Sequence, residues 1–233
     1  MISSLKFVST LILLLSLSFV QAQMDVSQAM TPTQYVNNVL LGEGVTATNV
    51  QFTGSLEQIG YLTDGEGISI ENGIIMSTDL ATNPATCDGT AGCGGCGGAG
   101  DADLLTVANS VPPLIGQTFT VQSVNDVCIL EFDFQPSGDF VSFNYVFGSD
   151  EYLGWVNSQY NDIFAFFLSG PGITGPYASP AGFPDGAINI AQVPDSDPPL
   201  PVTISSVNDV TNPEYYIDNP GAVDPPCING YTE

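Results

Sequence analysis

Phe7 to Val20 is an almost unbroken apolar run, broken only by small hydroxyl residues, with Lys6 just ahead of it. The run is about 14 residues, short of the roughly 20 that a bilayer-spanning helix requires. A basic residue, a short apolar run and then Val20-Gln21-Ala22 predict a secretory leader over residues 1–22, cleaved before Gln23. The next periodic stretch is helical. Thr31 serves as N-cap, Pro32 suits the first turn, Gln34 completes a capping box, and Tyr35, Val36, Val39 and Leu40 form one apolar stripe that Gly42 ends.

Beyond Gly44 the period changes to two. Val45–Phe52 and Gly67–Met76 read as strands, with Asp64-Gly65 and Asn72-Gly73 as turn signals. Residues 81–103 are rich in Gly, Cys and Asp and read as one long loop. Asp126–Phe134 and Asp139–Gly148 each alternate an apolar or aromatic face with a polar one. Gln135-Pro136-Ser137-Gly138 lies between them, so the pair predicts a hairpin with one buried face. Asp162–Leu168 is wholly apolar after its first residue and predicts a central strand, ended by Ser169-Gly170-Pro171-Gly172. Ala187–Val193, Pro201–Val207 and Glu214–Asp218 read as shorter strands among Pro- and Gly-rich loops. Many short strands and one short N-terminal helix predict a mostly β fold, an antiparallel β-sandwich of jelly-roll-like type, in one domain over residues 23–233.

Charge narrows the function. The chain carries one Lys or Arg, no His and 25 Asp plus Glu, and the single cation is Lys6 inside the expected leader. Nucleic acid binding draws on cations at phosphates, and binding to anionic membrane surfaces needs the same sign, so both are excluded as partners. Catalytic triads that use a His or Lys base are excluded too. Apolar residues make up 43% of the chain, the opposite of a disordered composition.

An exported chain meets an oxidising compartment, so Cys87, Cys93, Cys96, Cys128 and Cys227 are disulfide candidates. The cluster Cys87, Cys93, Cys96 also admits thiolate zinc or Cys-x-x-Cys redox chemistry. The spacing is not a standard zinc pattern, no His offers a fourth ligand, and the βαβ context of redox motifs is missing. An odd count points to one partner outside the chain, with Cys227 the first choice.

The acidic residues offer oxygen chemistry. Ser149-Asp150-Glu151-Tyr152 follows one expected strand and Asn161-Asp162 opens the next. Asp150, Glu151, Asn157, Asn161 and Asp162 are therefore candidate ligands for Ca²⁺, a hard cation that takes six to eight oxygens. Asp and Asn also cap turns, which competes with this role. Asp101-Ala102-Asp103 and Asp195-Ser196-Asp197 are weaker candidates. Tyr152, Trp155 and Tyr160 share the loop and offer a sugar-stacking surface, set against the plainer expectation that Trp155 plugs one end of the sandwich.

Residues 140–172 read FVSFNYVFGSDEYLGWVNSQYNDIFAFFLSGPG. With Gly73-Ile74-Ile75-Met76-Ser77-Thr78, Asn189-Ile190-Ala191 and Pro201-Val202-Thr203-Ile204, this resembles the choice-of-anchor L family of secreted bacterial surface modules. The resemblance implies export, surface display and adhesion or matrix association, and carries over no catalytic residues. It also implies further strands and an anchoring region in a larger protein, so the chain is expected to be a C-terminally truncated piece.

The expected function is a secreted, cell-surface or adhesin-type module that binds an extracellular glycan or protein, with Ca²⁺ support. The alternative is a carbohydrate-active enzyme, or its accessory domain, working through a carboxylate pair. That is the one enzyme class that needs no basic side chain. Adjacent Asp150 and Glu151 would face opposite sides of a strand, so a pair would have to include Asp162 or Glu131. A third reading is a structural spacer.

Overall fold

A computed structural model describes residues 24–87, 93, 96, 98, 100–222 and 225–232; the expected leader over residues 1–22 lies outside the described residues. In chain order the elements begin with β1 (Asp25–Ser27), α1 (Pro32–Tyr35), β2 (Val45–Thr53), β3 (Ile59–Thr63), β4 (Asn72–Met76), α2 (Asn83–Thr86) and α3 (Ala102–Leu114). They continue with β5 (Ile129–Pro136), β6 (Gly148–Ser149), β7 (Phe167–Leu168), β8 (Ile188–Asn189), β9 (Tyr216–Asp218) and β10 (Gly230–Thr232). The strands form antiparallel sheets β1-β3-β4, β6-β10-β9, β2-β5 and β7-β8. The fold is thus mostly strands in several antiparallel sheets with few helices, and they close no barrel among the described residues.

The first helix forms as its sequence dictates. Thr31 Oγ1 accepts from the Gln34 amide and Gln34 Oε1 accepts from the Thr31 amide, the reciprocal capping box. The helix then widens into a π-turn over Val36–Leu40. Tyr35 and Val36 are buried, which supplies the docking that so short a helix needs.

Several expectations are corrected. The first concerns the hairpin. β5 pairs with β2, from Val45↔Pro136 to Thr53↔Ile129, and residues 139–147 carry no ladder. The turn explains this. Ser137 donates its amide to Gly44 O at 2.8 Å, with Gly44 at φ +84°, which fastens the turn to the start of β2. Pro136 has no amide to give. The second concerns helices. α3 has 13 residues, spanning the end of the expected loop and beyond. Asp101 caps it, and Val107, Ala108 and Val111 are its buried stripe. Pro112 and Pro113 masked it in sequence; each forfeits the amide bond to the carbonyl four residues back, and the helix ends directly after them at Leu114. The third is the Asn72-Gly73 turn, which instead opens β4 opposite Thr63 and Leu62. Asp64-Gly65 does turn the chain, with Asp64 at φ +55°.

The central run Asp162–Leu168 is a strand only at Phe167–Leu168, with an isolated bridge from Ile163 to Thr203. The extended segments around it still run antiparallel. Phe143 meets Phe166 at 4.3 Å and Tyr145 meets Phe164 at 5.2 Å between ring centroids, so ascending positions in one segment meet descending positions in the other.

The main core joins Val111 of α3 with Phe147, Tyr152, Val193, Leu200, Val202, Ile204, Val207 and Tyr216. Full burial of a side chain such as Ile204 contributes about 1.5–3 kcal/mol relative to exposure. A smaller cluster gathers Met24, Leu62 and Ala85. No helix among the described residues is long and apolar enough to cross a membrane.

Candidate functional site

The loop from Ser149 to Asp162 leaves β6 and is held at several points. β10 pairs with β6, placing Gly230 opposite Ser149 and Tyr231 opposite Gly148. A Cβ at Gly148 would collide with Ile228, so glycine permits that approach. Asn229 Nδ2 donates to Asp150 O at 2.7 Å. Tyr152 is buried, donates its hydroxyl to Val207 O at 2.8 Å, and lies 4.8 Å from the Tyr216 ring. Asn157, at φ +58°, donates its amide to Ser205 Oγ at 3.0 Å. Trp155 donates its amide to Glu151 O at 3.0 Å, closing the turn between them.

This scaffold sorts the expected ligand-binding aromatics. Tyr152 belongs to the core. Trp155 is 48% exposed and Tyr160 is 53% exposed, and their rings meet edge to face at 4.8 Å and 74°. The plainer expectation, Trp155 as a plug, is therefore corrected: its ring leans on Tyr160 at the surface.

The acidic candidates divide as well. Ser149 Oγ donates to Asp162 Oδ2 at 2.7 Å and accepts from the Glu151 amide at 2.9 Å, tying both ends of the loop to one hydroxyl. Loss of surrounding water pushes the carboxyls of Asp150, Glu151 and Asp162 above their ordinary values. Asp162 and Asp150 add repulsion at Glu151, and Asp150 adds it at Asp162. These three act as one electrostatic group. Asp150 and Glu151 lie in a turn after β6, so strand alternation does not separate them. Asn157, on the same loop, is exposed. Asn161 departs from the set: it is buried, its Oδ1 accepts from the Ser205 amide at 3.2 Å, and its Nδ2 has no partner. Its burial against Ser205 sets it apart from the exposed part of the loop. Ser149, Ser205 and Asn229 organise the loop; Ser149 adjoins the acidic run in sequence, whereas Ser205 and Asn229 reach it only through the fold.

The weaker acidic pair is spent on structure. Asp101 accepts from the Leu104 amide at 2.8 Å and Asp103 from the Ala178 amide at 2.9 Å. Asp195 sits at φ +56° in a turn.

The cysteines pair as Cys87–Cys227 and Cys93–Cys96, which leaves Cys128 free. Cys227 thus finds its partner within the chain, a correction to the expected one outside it. Cys128 is half-buried against Ser77 O, and burial pushes its thiol up to about 11.

The chain is thus a mostly antiparallel β module, stapled by two disulfides, that presents an acidic and aromatic loop, and none of its described residues is basic. The chain belongs to the Choice-of-anchor L domain family, whose model matches residues 23–233. Membership makes it a module of bacterial surface proteins. No curated protein and no solved structure gives a match.

Proposed function

We propose that this module binds an extracellular glycan through Trp155 and Tyr160, with Ca²⁺ drawn to the acidic loop that carries Asp150, Glu151 and Asp162, as part of a larger adhesin-type surface protein. The observation that carries the reading is the exposed aromatic pair on the loop that also bears the coupled carboxyls. An aromatic face stacks on the apolar face of a sugar ring, and the neighbouring amides and carboxylates accept its hydroxyls. A divalent cation relieves repulsion that no side chain of the described residues can neutralise, because none is basic. A jelly-roll-like sandwich belongs to the same reading, supported by the antiparallel aromatic rows of Phe143, Tyr145, Phe164 and Phe166, which pack side by side with Phe143 still exposed. Export through the leader over residues 1–22 belongs to the same reading.

The test is a glycan array probed with and without chelator. Binding that falls with chelator and with Trp155→Ala supports the proposal; an array blank in both conditions overturns it.

The raised carboxyl pKa values favour one other reading, a glycoside hydrolase using Asp150 or Glu151 with Asp162. Release of reducing sugar that disappears with Asp150→Asn would replace binding with catalysis.

A further inference from the structure

Away from the loop of Trp155, a second group of side chains converges. Among the described residues, the one set of three Cys or acidic groups whose donor atoms all lie within 4.8 Å of one another is Asp79, Cys93 and Cys96. Glu57 adds a fourth donor, with Oε2 3.5 Å from Cys93 Sγ. The absence of a fourth ligand argues against zinc in the sequence; tertiary structure brings two carboxylates to that place.

The carboxylates are held there by the fold. Asp79 accepts from the Cys93 amide at 2.8 Å and from Asn83 Nδ2 at 3.1 Å, and its own amide is fixed by Ser77 Oγ at 3.0 Å. Glu57 sits in the short turn capped by Ser55, and its carbonyl accepts from the Ala81 amide at 2.8 Å, which links the two carboxylate-bearing segments. With the sulfurs joined, the group carries two negative charges. With the disulfide open and the thiols ionised it would carry four, with no basic side chain to offset them. Two thiolates and two carboxylates are a tetrahedral donor set suited to Zn²⁺.

We infer that Cys93, Cys96, Asp79 and Glu57 form a redox-gated Zn²⁺ site, closed as a disulfide when oxidised and metal-binding when reduced. A small thiol reductant supplies the two electrons: two reductant thiols become a disulfide while Cys93 and Cys96 become thiols. Zn²⁺ then displaces both thiol protons to solvent. The site is independent of the glycan and Ca²⁺ reading, since it shares no residue with it.

The test uses the full chain, refolded from denaturant without oxygen, in excess thiol, with Co²⁺ as the spectroscopic stand-in for Zn²⁺. We expect one ion per chain and a near-ultraviolet sulfur-to-cobalt charge-transfer band, displaced by equimolar Zn²⁺. Cys96→Ser abolishes the band, Asp79→Asn weakens affinity by about tenfold or more, and Cys128→Ser leaves both unchanged. The oxidised chain shows no band. A reduced chain without the band, a band that survives Cys96→Ser, or equal affinity in Asp79→Asn overturns the inference. Circular dichroism of each variant separates lost ligation from lost folding, and Glu57→Gln repeats the affinity test at the other carboxylate if Asp79→Asn does not fold.

Discussion

Trp155 and Tyr160 stand edge to face, 4.8 Å apart, both about half exposed, on a loop whose other end is anchored by buried Tyr152. Exposure separates their contribution to binding from any to the core. Trp155→Ala is expected to leave the melting temperature within a degree or two, because surface truncations cost about 0.5 kcal/mol or less. It should remove most glycan binding. Calorimetry and the array together check this; a large loss of stability would show that the ring is structural.

Tyr152 should behave in the opposite way. Tyr152→Phe removes only the hydroxyl that bonds to Val207 O, leaving that carbonyl without its donor. The expected cost is about 1–2 kcal/mol, read from denaturant midpoints. Binding measured well below the midpoint should change little, since the ring still packs on Tyr216.

The Cys87–Cys227 bridge closes a 140-residue separation and holds the C-terminal segment near α2, where Cys227 also donates its amide to Pro84 O. Replacing both cysteines by Ser is expected to cost about 3–5 kcal/mol, mainly by freeing the unfolded chain. The check is an unfolding curve of the double variant against the parent. The short Cys93–Cys96 loop, spanning three positions, should matter less.

Stability should fall as pH rises through the weakly acidic range. Asp150, Glu151 and Asp162 have folded-state pKa values raised above ordinary values of 3.8 for Asp and 4.5 for Glu. The folded chain therefore binds protons more tightly than the unfolded one. Its advantage is complete below the unfolded values and is lost as pH climbs through the folded ones. The effect is modest, because Asp150 and Glu151 are partly solvated. Asp162→Asn should flatten the slope of melting temperature against pH, and millimolar Ca²⁺ should do the same if the cation binds there. A slope of opposite sign would refute the crowding of these carboxyls.

Much of this was legible in sequence. The capping box of Thr31 and Gln34, the strand of residues 45–53 and the turn at Asp64 each follow from residues within a few positions of one another. The acidic loop was legible as a set of candidates, but not its division. Nothing local distinguishes Asn161, buried against Ser205, from Asn157, exposed on the same loop. The helix over Ala102–Leu114 was readable from Asp101 and its apolar spacing, yet hidden by two prolines whose cost depends on where the helix ends.

Taken alone, the amino-acid order determined the family, the dominance of β structure and the lack of any basic side chain beyond Lys6, because composition, short-range periodicity and motif are properties of the chain itself. Tertiary structure decided that β2 takes β5, that Cys87 takes Cys227, that Tyr152 is core while Trp155 is surface, and that two carboxylates meet Cys93. Those outcomes depend on which distant segments pack together. Several pairings satisfy the same alternation of apolar and polar residues, and only burial and backbone hydrogen bonding across the whole molecule choose among them.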